Sequence, residues 1–204
     1  PLADASTRDI VWRTRTGQAI PQLARLASEE SVPLERRLRY FRAFDFNPDA
    51  AKKSRALIDM LEGPSVKQES TENQNEVKKL VLTHMDPAFL TSSPTAQAAL
   101  KTVLDETYGT ESYLEMVQRF ERRDENPRLL AMALEQSDNN LGRNAASTLL
   151  RQNGAGMIRQ VFTGSDDKKK LNLLLALRSI GSRESIALIE AVAFDGSLPM
   201  SVRR

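Results

Sequence analysis

The sequence predicts an all-α protein, an α-α superhelix of about six repeated helix pairs. Three observations carry that expectation. Apolar side chains recur at helical spacing over most of the 204 residues, and no stretch shows the alternation of a strand. Gly, Pro, Asn and Ser fall between these stretches, where helices begin and end. One segment repeats: PDAAKKSRALIDMLEG at 48 to 63 aligns without a gap on PTAQAALKTVLDETYG at 94 to 109, matching the prolines, Leu57-Ile58 with Val103-Leu104, Asp59 with Asp105, and the closing glycines.

Taken in order, the first pair is expected near 6 to 13 and 18 to 29, with Trp12 covering its open edge. The second falls near 33 to 45 and 48 to 62, where Asn47-Pro48 offers a cap followed by proline at the first helical position. The third spans 71 to 85 and 94 to 108. It opens on Thr71-Glu-Asn-Gln74, a capping-box pattern, continues as an apolar line of Val77, Leu80, Val81 and His84, and resumes at Ser93-Pro94. Pairs near 110 to 122 and 127 to 136, then 140 to 153 and 155 to 163, follow, the former with Asn126-Pro127 as a further cap. The last lies near 167 to 180 and 183 to 194, where Leu171, Leu173, Leu174, Leu175 and Leu177 encircle their helix and imply burial on several sides. Gly63, Gly109, Gly154 and Gly181 stand where helices should stop in a left-handed turn.

Composition restricts function more than it specifies it. Lys plus Arg number 29 against 27 Asp plus Glu, a net charge of +2 that says almost nothing about partners, although a nucleic-acid binder usually shows a clearer excess. The absence of cysteine excludes disulfides, thiolate catalysis and attachment of haem through Cys-x-x-Cys-His within these residues. No apolar run approaches the ~18 residues of a membrane span, and the opening PLADAST has no signal-sequence character.

Few residues stand out as chemistry. His84, the single histidine, precedes Met85, but neighbours on a helix diverge by about 100° and cannot clasp one iron, so a structural histidine satisfied by a neighbour is expected. Arg36, Arg39 and Arg42 recur every three residues opposite Leu34, Leu38 and Phe41, either a solvated face or a surface for an acidic partner or phosphates. Lys168, Lys169 and Lys170 follow Asp166-Asp167 as a charged helix start, although lysines there oppose the helix dipole. Adjacent carboxylates such as Glu29-Glu30 and Asp166-Asp167 diverge and cannot act as an acid-base pair. No phosphate loop, metal cluster or nucleophile elbow is present, and no catalytic, cofactor or metal residue is assigned.

The segment ALRSIGSRESIALIEAVAFDGSLPMSVRR at 176 to 204 resembles a HEAT repeat, which makes the expected superhelix a HEAT-like or armadillo-type solenoid. That resemblance implies a charge ladder between successive repeats using Arg37, Asp195 and Arg203. SVPLERR at 31 to 37 is nearly the phrase SLPMSVRR at 197 to 204, so the chain is expected to be one solenoid, a piece of a larger protein cut in the first turn of a further repeat. Pairing with a second copy through that end is a related expectation. At 8 to 10 Å per layer such an array would be roughly 50 to 60 Å long.

Two stretches go further. WRTRTGQAIPQLARLASEESVPLERRLRYFRAFDF at 12 to 46 and LDETYGTESYLEMVQRFERRDENPRLLAMALE at 104 to 135 resemble the helical middle region of large haem-containing, dehydrogenase-like proteins of planctomycete-type bacteria, with RYFRAFDF and LDETYGT the most specific phrases. The resemblance implies a β-propeller before this region, a cytochrome c domain after it, haem c elsewhere in the parent chain, and a periplasmic or cell-envelope location. The segment itself is then a scaffold contacting its flanking domains, with no nucleic acid and no membrane insertion. An independent protein-binding HEAT module and a HEAT-like nucleic-acid enzyme of the DNA glycosylase kind are the alternatives.

Overall fold

The computed structural model describes residues 10, 11, 13, 15–29, 31–63, 66, 67, 70–196 and 200–203. Among these there are twelve α-helices and no strand. The chain divides into two compact units, 1–106 and 107–204.

The first unit contains α1 (Ile20–Ala27), α2 (Leu34–Asp45), α3 (Ala50–Glu62), α4 (Thr71–His84) and nearly all of α5 (Pro94–Thr107). Helix α1 packs on α2 and α3, and α4 also packs on both α2 and α3. Spacing explains the contacts: Ile20, Leu23, Leu26 and Ala27 form one stripe, and Phe41 and Phe44 are fully buried on α2. Each of the larger side chains, Ile, Leu and Phe, contributes about 1.5 to 3 kcal/mol when it leaves water. Ser54, fully buried on α3, accepts a hydrogen bond from the Asp86 amide at 3.0 Å and so ties α3 to the chain leaving α4.

The second unit holds α6 (Glu111–Arg119), α7 (Asn126–Glu135), α8 (Asn140–Arg151), α9 (Ala155–Thr163), α10 (Asp167–Leu177), α11 (Arg183–Ala193) and the short α12 (Met200–Arg203). Its main seam is α7 on α8; α10 lies against both, and α9, α11 and α12 gather around α10 and each other. Gly142 makes the α7–α8 seam feasible, because a Cβ there would overlap the Gln136 carbonyl. In both units helices pack on near neighbours in the chain, the contact order of stacked helix pairs.

The start and stop signals place the helices well but several act differently in detail. Ser93 caps α5 as expected, its Oγ accepting from the Ala96 amide at 3.1 Å. Before α3 the cap is Asp49 rather than Asn47, whose Oδ1 instead accepts from the Asp49 amide and places Pro48 outside the helix. Ser70, not Thr71, caps α4, its Oγ accepting from the Asn73 amide, and Gln74 donates back to the Lys67 carbonyl. Asn126 is the first residue of α7, and its amide nitrogen donates across to the Gln152 carbonyl instead of capping. Of the four glycines, Gly109 and Gly181 have positive φ, 84° and 66°. Gly63 and Gly154 do not, and the left-handed residue after α8 is Asn153, with φ 64°.

The leucine-rich helix also needs correction. Leu173 and Leu177 are fully buried, but Leu171 and Leu175 are 38% and 36% exposed, and Leu174 is only half-buried. Val202 of α12 lines a cleft on that side. Trp12, Glu30 and most of the helix expected near 6 to 13 lie outside the described residues, as do 197–199 and Arg204 in the closing phrase.

Candidate functional site

Three clusters of charged and aromatic groups stand out among the described residues, and in the first two the members engage one another. At the end of α4, His84 Nδ1 lies 2.9 Å from each carboxylate oxygen of Asp45, the last residue of α2. The imidazole is stacked on Phe41 with ring centroids 6.0 Å apart, and its side chain is only 11% exposed. This is the satisfied structural histidine expected from its place on the apolar line, and Met85 beside it is fully buried.

The second cluster was not anticipated. Tyr113 on α6 is completely buried, and its hydroxyl donates to Glu125 Oε2 at 2.7 Å. Arg128, one turn into α7, approaches the same carboxylate at 3.3 Å while its guanidinium lies 4.7 Å from the Tyr108 ring centre and 5.3 Å from that of Tyr113. Burial, then the hydrogen bond to Glu125, push the Tyr113 phenol well above its ordinary value of 10.0. Burial and the nearby charge of Glu135 raise Tyr108 as well. The Glu125-Arg128 spacing of three was the available signal, and the tyrosine partner lies on another helix. The arrangement locks α6 to the start of α7.

The third lies on α10. Asp166 caps the helix by accepting from the Lys169 amide at 3.0 Å, which holds its carboxyl below the usual carboxylate range. Lys169 also approaches Asp166 at 3.7 Å, and Lys170, though 4% exposed, meets Asp167 at 3.0 Å. These pairings resolve the apparent conflict of lysines with the helix dipole, since each stands beside an acidic group of the same turn. The two aspartates are engaged in the cap and its ion pairs. Lys168, by contrast, is exposed and makes no ion pair among the described residues.

Beyond Lys168, α10 borders an apolar cleft of about 310 Å³ shared with α11 and α12, lined by Leu171, Leu174, Leu175, Ile189 and Val202, with Arg178 at its edge. Arg36, Arg39 and Arg42 are all exposed on α2, opposite the half-buried Leu34 and Leu38 and the buried Phe41. Arg37 is 1% exposed, placed among the buried side chains of α2. Asp195 is exposed two residues past α11, and the side chain of Arg203 lies outside the described residues.

Among the described residues no cluster of three or more His, Cys, Asp or Glu side chains could hold a metal. No described helix is long and apolar enough to cross a membrane. Compared with protein-family models, curated proteins and solved structures, the chain has no match.

Proposed function

We propose that this chain is a non-catalytic, HEAT-like scaffold that links a dehydrogenase-like β-propeller to a cytochrome c domain in a larger cell-envelope redox protein. The domain assignment rests on the family resemblance carried by the RYFRAFDF and LDETYGT phrases. The scaffold role is supported chiefly by one observation, the open apolar cleft between α10, α11 and α12, which offers aliphatic surface to a partner. Haem c belongs, in this reading, to the partner domain and not to this segment. The partners are the flanking domains, in the periplasm or cell envelope, with no nucleic acid involved.

The same cleft favours a second reading, an independent protein-binding module whose partner is a separate chain. Full-length natural protein distinguishes the two. Haem absorbance, a Cys-x-x-Cys-His motif in the parent sequence and cross-links from this segment to flanking domains are the expected results for the connector. A parent sequence lacking both propeller and haem motif overturns it.

A further inference from the structure

We infer that a polar cleft in the second unit, at the C-terminal ends of α6 and α8, binds a free α-amino acid with a short polar side chain, its ammonium toward Glu121 and Gln152 and its carboxylate toward Arg123 and Arg151. The site is independent of the scaffold role. The cleft holds about 230 Å³ and is lined by Gln118, Glu121, Arg123, Thr148, Arg151 and Gln152, all of them polar. Drug-sized sites begin at roughly 300 Å³, so the occupant is small.

Thr148 and Gln152 are buried and form the floor, whereas Gln118, Glu121, Arg123 and Arg151 are exposed around the mouth. The Thr148 hydroxyl is fully used: it accepts from Gln118 Nε2 at 2.8 Å and from Arg151 Nη2 at 3.3 Å, and donates to the Asn144 carbonyl at 2.7 Å. Gln152 is not. Only 8% exposed, it donates through Nε2 to the Val117 carbonyl at 3.3 Å, and that bond fixes the amide, since a flipped side chain would set two oxygens against each other. Its Oε1 is thereby left buried without a partner. A buried acceptor without a donor is costly, and a ligand N–H removes that cost.

Glu121 is the second unmet acceptor. Helix α6 closes with the Arg122 amide on the Val117 carbonyl at 3.0 Å and the Glu121 amide on the Gln118 carbonyl at 3.3 Å, a turn that holds Glu121 at φ 47°. Glycine takes this left-handed position without strain, and glutamate does not. Among the described residues the Glu121 carboxylate makes no ion pair, and neither do Arg123 and Arg151. Two guanidiniums without a carboxylate, a carboxylate without a cation and a buried acceptor without a donor therefore line one small cleft. The guanidiniums match a carboxylate, and the two acceptors match an ammonium. An α-amino acid carries both groups on one carbon. A simple anion leaves the acceptors unmet, a simple amine leaves the guanidiniums unmet, and the polar lining selects against an aliphatic side chain.

The test titrates the 204-residue chain with L-serine, L-threonine, L-asparagine and L-glutamine by calorimetry, then with the N-acetyl and decarboxylated forms of the tightest of them. At least one amino acid is expected to bind saturably and at least about tenfold more tightly than either derivative, shifting the Gln152 side-chain amide resonance. Arg123→Gln with Arg151→Gln should weaken binding at least about tenfold. Glu121→Gly should weaken it comparably while leaving the thermal midpoint unchanged or raised, because glycine relieves the left-handed strain. The three substituted positions are exposed, and circular dichroism checks that the variants fold. No saturable binding by any of the amino acids overturns the proposal. So does equal affinity for the N-acetyl form, which assigns the cleft to the end of a peptide, and so does equal affinity for inorganic phosphate that Glu121→Gly leaves unchanged, which makes it a plain anion site.

Discussion

His84 and Asp45 close the ends of α4 and α2 against each other, with one ring nitrogen 2.9 Å from both carboxylate oxygens and Phe41 stacked beneath the ring. The carboxylate fixes the ring because it accepts whatever proton Nδ1 carries. Replacing His84 by Ala removes both the hydrogen bond and the stacking contact, and the expected loss is about 1 to 2 kcal/mol, read as a shift in the urea midpoint. Asp45→Asn retains an acceptor and should lose less. An equal loss in both variants would show that charge, and not ring contact, dominates.

Tyr113 gives the sharper stability test. Tyr113→Phe leaves Glu125 partly buried without its phenol donor, so a loss of about 1.5 to 3 kcal/mol is expected from denaturant unfolding. Alkaline titration checks the same contact. The folded-state phenol value is raised, so its stabilisation is complete below the unfolded value of 10.0 and is lost as pH climbs toward the folded value. Ultraviolet titration of the native protein should show a tyrosine resisting ionisation well above pH 10.0, and normal titration of all tyrosines would refute the buried Tyr113-Glu125 pair.

The acidic caps predict the opposite limb of the pH profile. Asp49 and Asp166 accept from the Lys52 and Lys169 amides, and these backbone bonds lower both carboxyls below 3.8. A depressed folded value means that the stabilisation is present above 3.8 and lost as pH falls through the lower folded values. Asn at both positions still caps but does not titrate. The double Asn variant should therefore show a shallower loss of helicity below pH 3.8 than the parent, measured by far-ultraviolet circular dichroism.

Two glycines on neighbouring helices should respond in opposite directions. Gly142→Ala drives a Cβ into the backbone carbonyl of Gln136, and separation of α7 from α8 or failure to fold is expected. Gly156, early in α9, has open space around its absent Cβ, so Ala there should be neutral or stabilise by up to about 1 kcal/mol. Thermal unfolding of the two variants decides it, and equal midpoints would refute the close contact at Gly142.

Leucines of α10 make a similar contrast. Leu173→Ala removes a fully buried side chain and should cost about 2 to 5 kcal/mol, whereas Leu171→Ala, at 38% exposure, should cost well under half as much. Urea unfolding measures both.

The helices were legible because their ends are written locally: Ser93, Ser182 and Asp166 each bond an amide three residues on. Which residue of a polar run becomes the cap was less legible, as Ser70 over Thr71 and Asp49 over Asn47 demonstrate, because adjacent polar residues compete for the same orphan amides. Leucine periodicity announced the apolar character of α10 but not that one flank would stay open, since cover depends on a helix elsewhere. The partners of His84 and Tyr113 come from other helices, 39 and 12 residues away, and no short-range pattern encodes them.

The packing of most helices on near neighbours in the chain has a consequence for ancestry. A unit whose contacts are short-ranged can be copied and inserted while most of the old packing is left undisturbed. The likeness of 48–63 to 94–109 is compatible with such copying, and the two helices differ in where the cap falls, at Asp49 before α3 and at Ser93 before α5.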